Sequence, residues 1–84
     1  MPNYIGANEP IKVGDKIHLG GSPGKVVFVL DDDQYSLEYP KGKWEYLKSE
    51  NDGKGVMLLL DNGELILELF HNEGLELKER KRND

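Results

Sequence analysis

Two pairs of β-forming apolar runs, each pair joined across a glycine-containing turn, restrict this chain more than any other feature. In the first pair Val13, Ile17 and Leu19 precede Gly20-Gly21-Ser22-Pro23, and Val26-Val27-Phe28-Val29-Leu30 follow. In the second, residues 56–60 and 65–70 are joined through Asp61-Asn62-Gly63. Asn-Gly between apolar runs is a strong hairpin signal, because both central positions of a type I′ turn need positive φ. A last run sets Leu75 and Leu77 against Glu76, Lys78 and Arg80. Five short strands without a sustained helical period predict a small all-β barrel.

Alternation assigns the faces. Ile17 and Leu19 alternate with Lys16 and His18, so the first strand has one wet face. The second strand, residues 25–30, is apolar on both sides: Val26, Phe28 and Leu30 on one, Val27 and Val29 on the other. Such a strand is central, or its second face is covered. Leu65, Leu67 and Leu69 are expected to face the core with Ile17, Val26, Phe28, Leu58, Leu75 and Leu77. Glu64, Ile66, Glu68 and Phe70 form the mixed opposite face, followed by a turn at His71-Asn72-Glu73-Gly74. Residues 1–10 read as a flexible lead-in, 11–80 as one domain and 81–84 as a tail.

The chain has 84 residues, room for one domain near the lower limit at which a single core offsets chain entropy. Its formal charge of −5 disfavours phosphate backbones and anionic membranes as partners. The absence of cysteine removes disulfides, thiolate zinc sites and thiol nucleophiles, and fits a reducing compartment. No stretch approaches the roughly 20 apolar residues that span a bilayer, and the N-terminus lacks a signal-peptide pattern, so a cytoplasmic location is expected.

Residues 31–48 interrupt the strand pattern and hold most of the aromatic side chains. Pro40 and Gly42 argue against one regular element. We expect a turn at Asp31-Asp32-Asp33, an extended piece near Tyr35 and a short helical turn over residues 43–47. An EF-hand beginning at Asp31 would need glycine at 36 and glutamate at 42, where Ser36 and Gly42 stand. His18 and His71 have no cysteine partners and read as a strand and a turn residue. Ser22, Ser36 and Ser49 lack a nucleophile-elbow pattern. No catalytic residue, metal site or cofactor is therefore expected. The remaining constellation is Tyr35, Tyr39, Trp44 and Tyr46 behind Asp31, Asp32 and Asp33, an aromatic centre with a charged rim of the kind protein interfaces favour. The same aromatics would serve equally as a roof over the barrel.

Gly14, Asp15, Gly24, Val26 and Val29 resemble the KOW motif and the wider Src-homology-3-like small barrels. That resemblance implies a five-stranded Src-homology-3-like barrel with an irregular aromatic insert between its second and third strands. It also implies binding to RNA or to the transcription and translation machinery. A second resemblance, carried by Tyr39-Pro40, Trp44-Glu45-Tyr46-Leu47 and Gly55-Val56-Met57, is to small acidic bacterial proteins, some of them immunity partners of secreted toxins. Together these give a non-enzymatic, monomeric or weakly dimeric module with a protein partner, a toxin being the concrete case, and the KOW-like function as the alternative.

Overall fold

The two hairpins form as the glycines require, but neither has the turn or the facing that simple alternation gives. In the computed structural model, which describes residues 2–5, 9–69 and 74–80, five strands build one antiparallel sheet. They are β1 (Lys16–Leu19), β2 (Ser22–Val29), β3 (Val56–Leu60), β4 (Leu65–Glu68) and β5 (Leu75–Glu79), in the order β4-β3-β2-β1-β5. Phe70, the turn residues 71–73, the tail at 81–84 and positions 1 and 6–8 of the lead-in lie outside the described residues.

Gly20 and Gly21, at φ 58° and 88°, make a two-residue turn that pairs Leu19 with Ser22. The second strand therefore begins at Ser22 and not at Lys25, and takes in Pro23. The carbonyl of Pro23 accepts a hydrogen bond from Asp61 N at 2.9 Å. At the β3–β4 turn only Gly63 (φ 91°) has positive φ, so the expected type I′ turn is replaced by a three-residue loop. Gly63 N donates to Leu60 O at 2.9 Å, and Leu60 N to Glu64 O at 2.8 Å. This is a type I turn closed by a left-handed glycine. The side chain of Asn62 instead accepts from Glu64 N at 2.9 Å.

A bulge in β2 corrects the expected facing. Val26 pairs with Leu58, but Phe28 pairs with Met57, so Val27 is an extra residue with no partner of its own. Past Val27 every side chain changes sides. Val26 and Val29 consequently share one apolar cluster with Tyr4, Ile11, Ile17, Val56, Leu58, Leu60 and Leu75, while Val27, Phe28, Leu30 and Met57 form a second on the other face. Ile66 of β4 and Leu77 of β5, from opposite edges of the sheet, both pack against the first cluster.

β4 carries the second correction. Leu65, Leu67 and Leu69 do share a face, but Leu65 pairs with Leu59 and Leu67 with Met57, on the side away from the first cluster. Only Leu67 is covered there; Leu65 and Leu69 are each 41% exposed, and Ile66 is the residue that reaches the first cluster.

Tyr4, from the expected lead-in, also belongs to this core. Tyr4 N donates to Glu9 O and Ile11 N to Pro2 O, which folds the segment back on itself and buries the Tyr4 ring. The phenol donates to Asp15 Oδ2 at 2.7 Å. Asp15 is 1% exposed, and Arg80 clamps it with two parallel bonds of 2.9 Å, Nε to Oδ1 and Nη2 to Oδ2. The amide of Lys12 donates to the same carboxylate at 3.0 Å. Arg80 further reaches Glu9 Oε2 at 3.0 Å and Pro10 O at 2.7 Å. A buried carboxylate is tolerable only when its lone pairs are filled in this way. Burial, then the bond to Asp15, pushes the Tyr4 phenol well above its usual range.

Candidate functional site

The second apolar face is where the insert lies. At its start the chain reverses over Leu30 to Asp33: Asp33 N donates to Leu30 O, and Val29 and Gln34 exchange both backbone bonds at 2.8 and 3.0 Å. Asp33 closes the turn at φ 54°, a left-handed position that aspartate enters more readily than most residues. The three aspartates are thus part of the insert's framework. Asp31 Oδ1 accepts from Gly55 N at 2.9 Å and ties the start of the insert to its end. Asp33 receives Lys41 Nζ at 2.7 Å and Lys48 Nζ at 3.3 Å. The Lys41 bond holds the Asp33 carboxyl below its ordinary range, and the carboxylate raises Lys41 in return. Asp32 is half-buried between them.

The expected helical turn is two short pieces, α1 (Lys41–Trp44) and α2 (Tyr46–Glu50), meeting at Glu45. Pro40 sets the start, and its carbonyl accepts from Trp44 N at 3.2 Å. Asn51 ends the second piece by donating from Nδ2 to Leu47 O at 2.9 Å, with Asp52 and Gly53 turning left-handed behind it. Neither piece is long enough to be stable alone. Packing onto the sheet holds them.

That packing centres on Phe28, which is fully buried. Tyr35 stacks on it at 5.8 Å between ring centroids, Trp44 lies at 5.6 Å and Tyr39 at 6.4 Å, and Tyr39 and Trp44 meet at 5.5 Å. Leu47, Leu59 and Leu67 complete the layer. Of the aromatics singled out from the sequence, Tyr35, Tyr39 and Trp44 are therefore brought together as a half-buried lid. Tyr46 is not among them and remains 54% exposed.

The residue that sequence reasoning passed over is Leu37. Ser36 and Tyr39 exchange backbone bonds of 3.2 and 3.3 Å, which makes a tight turn with Leu37 and Glu38 at its apex. Leu37 is 100% exposed. The turn is not loose: Tyr35 and Tyr39 on either side are packed against the ring of Phe28. Its signal in the sequence is faint, one apolar residue between serine and glutamate. The insert and the residues leading to β3, 31–54, hold seven acidic against four basic side chains, so the segment that carries the leucine is acidic in sum.

Among the described residues no three His, Cys, Asp or Glu side chains converge in a way that could hold a metal ion. No helix among them is long and apolar enough to cross a membrane. No protein-family profile, curated protein or solved structure matches this chain.

Proposed function

We propose that this chain is a non-enzymatic protein-binding module on an Src-homology-3-like small barrel, and that it works as a cytoplasmic immunity protein that neutralises a basic toxin. The observation that carries the reading is Leu37, a fully exposed leucine on a turn whose neighbours are locked to the sheet. A solvated leucine contributes nothing to the fold of the free chain. On a preorganised turn it costs little entropy to bury in a partner's pocket. The acidic segment supplies the complementary charge that speeds encounter with a cationic partner. Support for the barrel comes from Ile66 and Leu77, which reach the same apolar cluster from opposite edges of the sheet.

The test is calorimetric titration of the adjacent gene's product with the native protein, Leu37→Asp and Tyr46→Ala. Leu37→Asp is expected to melt at the native temperature, since exposed substitutions shift stability by less than about 0.5 kcal/mol. It is expected to lose at least about 2 kcal/mol of binding, roughly 30-fold in Kd. Native affinity in both variants would refute the assignment of this surface.

A further inference from the structure

At the edge of the lid, one rung crosses the same face of the sheet from edge to edge. Successive register partners are Leu65, Leu59, Lys25, Lys16 and Glu79, from β4 to β5. The rung runs from apolar through two lysines to the acidic Glu79 at the β5 edge. Leu59, Lys25, Lys16 and Glu79 of this rung line a groove of about 630 Å³ together with His18, Pro23, Asp61 and Lys78. That volume suits a small ligand.

Lys16 and Lys25 stand directly opposite each other, an arrangement that weakens a strand pair. Their existing partners do not cancel the cost. Lys25 meets Glu38 at 3.6 Å and Lys16 meets Glu79 at 3.7 Å, both beyond good hydrogen-bond length and between well-exposed side chains. Lys78 is bonded more closely, to Glu76 at 3.1 Å. Two loosely held ammonium groups side by side, next to leucine, are a local conflict that the fold does not need and a ligand would resolve. At about 4.8 Å between strands, Leu59 and Lys16 are roughly 10 Å apart, the length of a ring or short alkyl chain with an acidic head.

We propose that this groove binds a small organic anion, its phosphate or carboxylate between Lys16 and Lys25 and its apolar body on Leu59. The site adjoins the Leu37 turn through Lys25 and Glu38, and does not depend on the protein-binding reading.

Titration of the isotope-labelled full chain with phenyl phosphate, benzoate, inorganic phosphate and a short single-stranded RNA, followed by amide NMR, tests this. Phenyl phosphate or benzoate is expected to give saturable shifts at Lys16, His18, Lys25 and Leu59 with Kd of about 1 mM. The better of the two identifies the head group. Inorganic phosphate is expected to bind about tenfold more weakly, for want of the body that rests on Leu59. Lys16→Gln and Lys25→Gln are each expected to weaken binding about fivefold while leaving the denaturation midpoint unchanged or higher, because the like-charge contact is gone. A merely structural role for the lysines would lower the midpoint. The proposal is overturned by absence of saturation at about 10 mM, by affinity in both lysine variants as high as the native protein's, or by inorganic phosphate matching phenyl phosphate. RNA binding tighter than either anion and falling steeply with salt would overturn it too, and give the lysines to a nucleic-acid strand.

Discussion

Asp15, which stands out in the sequence only through its resemblance to the KOW motif, is the most heavily used polar side chain of the core. It accepts from Tyr4, Lys12 N and both arms of the Arg80 fork. Removing one partner of a buried pair leaves the other uncompensated, so Arg80→Leu is expected to cost on the order of 3 kcal/mol in urea unfolding. Tyr4 adds a pH dependence of definite sign. Its phenol is raised in the folded chain, so above the usual tyrosine value of about 10 the unfolded state loses a proton that the folded state keeps. The contribution is complete below that pH and is lost as the pH climbs past it. Tyr35 and Lys41 are raised as well and act in the same direction. Stability measured from pH 8 to 12 should therefore be flat and then fall, and Tyr4→Phe should flatten part of the fall while costing roughly 1 kcal/mol at neutral pH for the lost bond.

At the scale of the element, two glycines separate the effects of backbone conformation and close approach. Gly63 has positive φ but open space where a Cβ would stand. Gly24 has an ordinary φ, yet a Cβ there would lie 2.7 Å from Leu59 O and 2.8 Å from a Leu60 methyl. A backbone oxygen cannot swing aside as a side chain can. Gly63→Ala is expected to cost about 1 kcal/mol and Gly24→Ala more than about 2, compared by denaturation midpoint. If the order is reversed, the β2–β3 contact is not as close as described. The strands, both hairpin positions and the helical turn near Trp44 could be read from the sequence because glycine, proline and apolar spacing encode them directly. The facing of Phe28 and Leu30 could not, since a bulge inserts one residue into a run of five apolar side chains and leaves no mark in composition. Leu65 and Leu69 were legible in period and not in side, because an edge strand's apolar face turns inward only if something covers it. The lid aromatics were recognisable as a group; which was anchor and which support was not, and Leu37 was hidden by its polar neighbours.

Across the whole molecule, two apolar layers share one sheet. The larger is enclosed with Tyr4 and Ile11 from the N-terminal segment and Leu75 from β5, and the smaller is roofed by the insert between β2 and β3. The insert therefore serves the fold and the proposed interface at once, Phe28 anchoring its underside and Leu37 facing out. A chain stopped after residue 74 would lack β5, the partner of β1, together with Arg80. It is expected to give the circular dichroism of an unfolded chain, and a cooperative melt from such a fragment would refute the dependence. The β1–β5 pairing also has a consequence in time. Because one side of β1 finds its partner only in β5, among the last described residues, a chain emerging vectorially from the ribosome cannot complete its larger core as it appears. It must wait for residue 80, holding the larger apolar face unsealed meanwhile, and non-local pairing of this kind is slow. Synthesis is then a stage at which this protein is exposed to aggregation.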